Sequence, residues 1–235
     1  MLLALDTSSP QVCVALADGA DVVTELVSEQ TLKHGEQLAP LVARALASTG
    51  IDRRDLTAVA VGVGPGPFTG LRVGLVTART LGFVLQVPVH GVCSLDVLAA
   101  EAVGTGAVSS TFLVATDARR KEVYWATYDE AGARLTEPAV DRPLDVETEH
   151  PVVGEGAVLY PMVFPSRVGP LRPSAGWLAR ADHETALGRL GATASGRRRY
   201  IGSGSPTRAS PPATARASHP ADGRSGPTRD GNTIG

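Results

Sequence analysis

The sequence predicts an α/β protein with mixed sheets in two lobes, and three observations carry that reading. Short apolar runs at Leu2–Asp6, Val12–Ala17 and Asp21–Val27 are separated by turn-forming residues, the pattern of an opening antiparallel meander. Beyond them, apolar residues at helical spacing alternate with strand-like runs, so residues 1–102 follow the order βββαβαβα. A meander continued by crossover units gives a mixed sheet. A second group of strand-like runs follows the Gly-, Ala- and Ser-rich stretch Val103–Ser110.

Each element has its own signal. Thr7-Ser8-Ser9-Pro10 separates the first two strands, and Asp18-Gly19-Ala20 suits the hairpin turn into the third. Leu38, Leu41, Val42, Ala45 and Leu46 recur on one face of a helix that Gly50 stops. Strand Thr57–Val63 follows, then a Gly/Pro turn and a helix from about Thr69 to Leu85 whose only charges are Arg72 and Arg79. Apolar over most of its circumference, that helix belongs deep in a core or under a partner. Gly70, Gly74, Ala78 and Gly82 form a small-residue stripe. A mid-helix glycine costs about 1 kcal/mol relative to alanine, which close packing against another backbone is expected to offset.

Strand Val87–Val92 and helix Leu95–Ala102 close the first lobe, residues 1–102. A smaller, truncated second lobe, residues 103–181, carries strands Thr111–Ala115, Glu122–Tyr128, Ala133–Thr136 and Val152–Val153 and a helix over Ser174–Ala181. Tyr124 and Trp125 alternate on their strand, which predicts one in the core and one exposed.

The segment Gly62–Gly70, GVGPGPFTG, is the most unusual stretch. Gly64 and Gly66 supply positive φ, Pro65 and Pro67 fix φ and remove donors, and Thr69 stands where it can cap the following helix. A P-loop needs Lys after its last Gly, and a dinucleotide fingerprint needs Gly where Thr69 stands, so both motifs fail. A structural turn and a ligand- or partner-facing one both remain open at this point.

Hydrophobic residues make up 43% of the 235, ordinary for a globular protein, and the net charge of −2 gives no general attraction to nucleic acid. Any RNA connection is therefore expected to be indirect. Cys13 and Cys93 each sit in an apolar run and read as core thiols of a reducing compartment. Met1–Leu5 is too short for a signal peptide and no run of about twenty apolar residues spans a bilayer. A soluble, cytoplasmic protein with no membrane association is expected.

From Asp182 onward the composition changes to nine Gly, five Pro, eight Arg and four acids, with few large apolar residues. Residues 182–235 are expected to be either a disordered extension or a GC-rich gene read out of frame.

Four motifs carry a resemblance: Leu3-Ala4-Leu5-Asp6-Thr7-Ser8, His34-x-Glu36-x-Leu38-x-Pro40, Gly64–Gly74 (GPGPFTGLRVG), and Asp117-Ala118-Arg119 followed by Glu122-Val123-Tyr124-Trp125-Ala126. In this order over residues 1–181 they closely resemble the TsaB family, formerly called YeaZ. The family usually has Ser where Pro67 stands. The resemblance implies an actin-like (ASKHA, ribonuclease H-like) two-lobe fold. It also implies a non-catalytic partner and activator of TsaD, which with the ATPase TsaE installs threonylcarbamoyl on the adenosine next to the tRNA anticodon. On the same resemblance, a homodimer when the chain is alone stays open, tRNA is expected to be met only through the complex, and no cofactor is expected on the chain alone, with ATP or ADP a candidate ligand of the complex.

Helices Leu38–Ser48 and Gly70–Leu85 are the expected partner face, with His34, Leu38, Leu41, Val42, Ala45, Gly70, Arg72, Gly74, Leu75 and Ala78 at the interface. Gly64, Pro65, Gly66, Pro67 and Thr69 form the turn. Asp6, Thr7 and Ser8 are nucleotide-facing candidates, with an Asx-type turn as the equal alternative. The alternative function is an autonomous actin-like ATPase or phosphotransferase. Against it, Ala115–Lys121, at the place of a second phosphate hairpin, has no glycine, and His34, His90, His150, His183 and His219 include no pair at a chelating spacing. No catalytic or metal-binding residue is assigned.

Overall fold

The computed structural model describes residues 1–28, 33–164, 166–186 and 199–200. The opening meander is β1 (Leu2–Asp6), β2 (Cys13–Asp18) and β3 (Asp21–Val27), followed by α1 (His34–Thr49), β4 (Ala58–Gly62), α2 (Phe68–Leu85), β5 (Val89–Val92) and α3 (Ser94–Gly104). β1 pairs antiparallel with β2 (Leu2↔Ala17) and parallel with β4 (Leu2↔Ala58), and β4 pairs parallel with β5. The mixed sheet and the order βββαβαβα are as the sequence predicts, in a ribonuclease H-like arrangement. α1 ends at Gly50, whose φ of 71° is the left-handed stop expected of it.

Strand periodicity sorts the side chains of this sheet by size. Leu3, Leu5, Val14, Leu16, Val59 and Val61 point to the face covered by α1 and α2. Ala4, Cys13, Ala15, Ala17 and Ala60 point to the other. That alanine face lets a helix lie close, and the helix is α5 (Ala175–Ala186), through Ala175, Leu178 and Ala179. Ser174 caps it by accepting from Trp177 N at 3.1 Å.

Helix α5 changes the domain organisation drawn from sequence. Placed in the second lobe with a boundary after Ala181, it packs instead on the first sheet and runs on to Ala186, so the boundary cuts a helix. Asp182, assigned to the tail, is buried and accepts from His90 Nδ1 at 3.1 Å. Leu178 of this helix is fully buried. A short strand β11 (Arg199–Tyr200) pairs antiparallel with β5; the remaining tail expectations fall outside the described residues.

The second sheet has the order β10-β9-β6-β7-β8, built of β6 (Phe112–Arg119), β7 (Glu122–Tyr128), β8 (Ala139–Asp141), β9 (Val152–Val153) and β10 (Arg167–Val168), with the one-turn α4 (Gly156–Leu159) between the last two. The expected strand Ala133–Thr136 is reduced to one bridge, Tyr128↔Arg134. The Asp129 carboxylate holds a turn by accepting from Ala131 N and Ala133 N, and the third antiparallel strand forms beyond Pro138. Tyr124 and Trp125 are both half-buried instead of split between core and solvent, and Trp125 Nε1 donates to Asp141 of the neighbouring strand at 2.9 Å.

Between the sheets lies α3. Its Leu95, Leu98, Ala99 and Ala102 pack with Phe112, Val114, Ala126, Tyr128 and Val153 of the second sheet, while Val97 faces the first.

Both predicted partner helices are real, but most residues assigned to the interface lie on their inner faces. Leu38, Leu41, Val42 and Ala45 belong to the core of the first sheet, and Gly70, Gly74 and Ala78 are buried beneath α2. The small-residue stripe does bring two backbones together, and the second is the chain's own sheet. A Cβ on Gly70 would stand 2.7 Å from Thr7 O, and one on Gly74 would overlap Thr7 Oγ1. Leu75 packs at the margin of the same core, leaving Arg72 exposed and His34 half-buried.

Candidate functional site

A cleft opens where the first hairpin of one sheet faces β6 of the other. Ser8, Pro67, Thr116, Asp117, Glu155 and Arg172 are among its lining residues. Its free space for the centres of water-sized groups is about 20 Å³, which suits roughly a single water.

Below it, Asp6 is 1% exposed and its carboxylate is fully engaged. Oδ1 accepts from Ser8 N and Ser8 Oγ, both at 2.6 Å, and Oδ2 accepts from Ser94 Oγ at 2.7 Å. The Asx-type turn is therefore realised. Burial pushes the Asp6 carboxyl upward, and the Ser8 and Ser94 hydrogen bonds oppose that shift. Gly62 is required opposite it, since a Cβ there would overlap the carboxylate. Thr7 is also buried, donating to Gly70 O at 2.9 Å. Of the three nucleotide-facing candidates, only Ser8 reaches the cleft wall.

The Gly/Pro turn fits against this hairpin. Gly64 has φ of 85° as expected, whereas Gly66 lacks positive φ. Gly66 is needed for approach, because a Cβ there would overlap Ser8 O. Gly64-Pro65 is a cis peptide. Thr69 does not cap α2: the helix starts at Phe68, Pro67 occupies the cap position, and no side chain accepts there. His34 Nε2 donates to Ser9 O at 2.8 Å, tying the start of α1 to the first hairpin.

Opposite stands the β6–β7 turn, where Arg119, Arg120 and Lys121 have φ of 66°, 50° and 66°. These residues take the left-handed backbone without glycine. Arg119 N donates to Asp117 Oδ1 at 2.8 Å, and Arg119 Nη1 lies 3.2 Å from Asp117 Oδ2.

Sequence reasoning missed Ser94, Gln11, Glu155 and Arg172. Arg172 donates to Gln11 Oε1 at 2.9 Å and to Glu155 Oε1 at 2.7 Å. Nothing in spacing marks these residues, since each comes from a different loop or helix start. Among the described residues, no group of three or more His, Cys, Asp or Glu has the arrangement of a metal site.

The second candidate surface is the outer face of α2. Phe68, Val76, Phe83 and Val84 are 73%, 58%, 65% and 68% exposed, and the helix's two arginines share that side. Arg72 stacks over the Phe68 ring at 5.3 Å. By length and composition alone α2 is long and apolar enough to cross a bilayer, although it carries Arg72 and Arg79. Its inner stripe is packed on the sheet, which leaves an apolar outer face on a core-flanking helix.

Residues 21–160 match the family model described as TsaD: tRNA N6-adenosine threonylcarbamoyltransferase. An uncharacterized protein of Mycobacterium tuberculosis is 42% identical over 183 residues, 77% of this chain and 83% of the relative. The tRNA threonylcarbamoyladenosine biosynthesis protein TsaB of Bacillus subtilis is 32% identical over 142 residues, 60% of each chain. The solved structure of YeaZ from Pseudomonas aeruginosa aligns with a TM-score of 0.69 at 31% identity, covering 85% of this chain and 99% of that one.

The chain belongs to the TsaB (YeaZ) family. The four TsaB-like motifs, dispersed in sequence, meet in space. The Asp6 motif forms the floor of the cleft, the His34 motif braces its hairpin, the Gly64–Gly74 motif packs beneath, and the Asp117 motif makes the facing turn. In this member of the TsaB family they build an interlocked scaffold around a small cleft.

Proposed function

We propose that the chain is a cytoplasmic, non-catalytic partner and activator subunit in tRNA threonylcarbamoyladenosine biosynthesis, docking a TsaD-like protein on the outer face of α2. One observation carries this reading: four large apolar side chains of one helix, Phe68, Val76, Phe83 and Val84, lie open to solvent on the same side. An exposed apolar face of that kind marks an interaction site. The family relationship supports a TsaD-like partner; in this reading a TsaE-like ATPase is the third component and the chain pairs with itself when alone. In this reading tRNA is reached through the complex, and ATP or ADP is held there.

The enclosure of Asp6 by Ser8 and Ser94 supports a structural role for the first hairpin over the alternative of an autonomous ATPase or phosphotransferase. The test is Phe83→Glu. Placing a charge in an apolar patch that docking would desolvate is expected to weaken binding to a purified TsaD-like partner by about a hundredfold or more in calorimetry, with melting temperature nearly unchanged. Full affinity in the folded variant would refute the α2 assignment. ATP turnover by the isolated chain would favour the alternative.

A further inference from the structure

The two sheets are joined asymmetrically. On one side α3 packs into the second sheet through Leu95, Leu98, Ala99 and Ala102, an extensive apolar contact. Asp96 of the same helix accepts from Tyr128 Oη at 2.7 Å and from Arg134 Nη1 at 3.2 Å. On the cleft side, polar side chains bridge the gap. Arg172 lies beside Pro173, whose carbonyl accepts from the Cys13 thiol at 3.5 Å, so its backbone is fixed to the first sheet. Its guanidinium then holds Gln11 of the first hairpin with one nitrogen and Glu155 of the second lobe with another.

Glu155 is firmly placed to receive it. Gly154, with φ of 104°, and Gly156 flank it, and a Cβ at either would press on Ala115 of β6. The loop thus lies flat on the second sheet and presents Glu155 towards the first. Two further polar atoms on the cleft wall, Thr116 Oγ1 and Arg172 Nε, are buried without a hydrogen-bond partner among the described residues. The enclosed space beside them has the size and polar walls that suit a bound water.

From this geometry we infer that Arg172 is a releasable strap: it clamps the cleft shut between Gln11 and Glu155, while the body of α3, which starts at the cleft wall with Ser94 and runs on into the second sheet's core, serves as the pivot about which the two sheets open. The strap is a part-exposed charge-assisted contact, with side-chain exposure of 36% for Arg172 and 19% for Glu155, and so can be released without disturbing an apolar core. The pivot is a packed interface and cannot. Opening on this axis uncovers Ser8, Thr116 and Asp117.

Amide hydrogen exchange of the full chain, read by mass spectrometry, tests the strap. In Arg172→Met, which keeps the aliphatic stem, peptides covering residues 8–11 and 154–156 are expected to exchange about tenfold faster, while peptides from α3 and β6–β7 keep their rates. Glu155→Gln retains an acceptor and should show the same pattern at smaller amplitude. Raising the salt concentration should speed exchange at the same peptides in the natural protein and leave Arg172→Met unaffected. Unchanged rates around the cleft in both variants, or a rise spread evenly through the chain, would overturn the inference.

Discussion

Thr7 and Gly74 interlock: Thr7 Oγ1 donates to the carbonyl of Gly70, and the space a side chain would need on Gly74 is filled by that same hydroxyl. The helix is held against the sheet by a buried hydrogen bond that only small residues permit. The glycine stripe therefore serves internal packing. Its propensity cost is offset within the chain.

Gly74→Ala should accordingly act on stability and not on association. A methyl group overlapping Thr7 Oγ1 must push α2 away or rotate Thr7 and break its bond to Gly70, at an expected cost of about 2 kcal/mol. In a chain of this size that is roughly 4–8 °C of melting temperature. Thr7→Ala made in the Gly74→Ala background removes the overlapping hydroxyl, and with it only a bond that Gly74→Ala already breaks, so it should cost less there than in the natural protein. An unaltered melting curve for Gly74→Ala would show that the close approach is not constraining.

The first lobe was legible because its information is local and periodic. Leu2–Asp6 and Asp21–Val27 match the observed strands, and Gly50 and the Leu38 face gave α1 its end and its buried side. Less was legible wherever two distant segments had to be placed face to face. The small-residue stripe on α2 correctly announced a close backbone, yet sequence spacing does not say whether that backbone is a partner's or the chain's own. The alanines of β1, β2 and β4 look like unremarkable strand residues until α5 is seen lying on them. The strap residue Arg172 sits in a loop with no periodicity at all. Three left-handed residues at Arg119–Lys121 were hidden because none is glycine.

Glu101 offers a pH test. Burial, with the neighbouring Glu25 charge adding to it and Arg180 opposing, pushes its carboxyl up to about 7 from 4.5. Its Oε2 atom is buried without a hydrogen-bond partner among the described residues. Below about 4.5 the folded and unfolded chains both hold this proton; between about 4.5 and 7 only the folded chain does. Stability contributed by this group is thus present at low pH and lost as pH rises through that window. Glu101→Gln cannot ionise, so it should match the natural protein near pH 4 and exceed it at pH 8. The site is about half solvent-screened, so the gain is expected at about 1 kcal/mol, or roughly 2–4 °C. Parallel melting temperatures for the two proteins across this range would contradict the assignment.

The pivot can be tested through Arg134, whose side chain is 5% exposed where it meets Asp96. Burial pushes the Asp96 carboxyl up, and Arg134 is the largest influence holding it down, ahead of the Tyr128 and Cys93 hydrogen bonds; Glu137 adds a weaker upward push. Arg134→Met leaves that carboxylate buried with no cation, a change expected to cost about 3 kcal/mol. The missing partner also raises the Asp96 pKa further, so the folded state gains from protonation at low pH and loses as pH rises. The deficit of Arg134→Met should therefore be smaller at pH 4 than at pH 7.5. Adding Asp96→Asn, which removes the stranded charge and keeps an acceptor for Tyr128, should restore part of the stability at pH 7.5 and flatten the pH dependence. If the double variant is instead less stable than Arg134→Met at pH 7.5, the ion pair is not what this buried cluster contributes, and the packing of the Arg134 stem between the lobes is the term that matters.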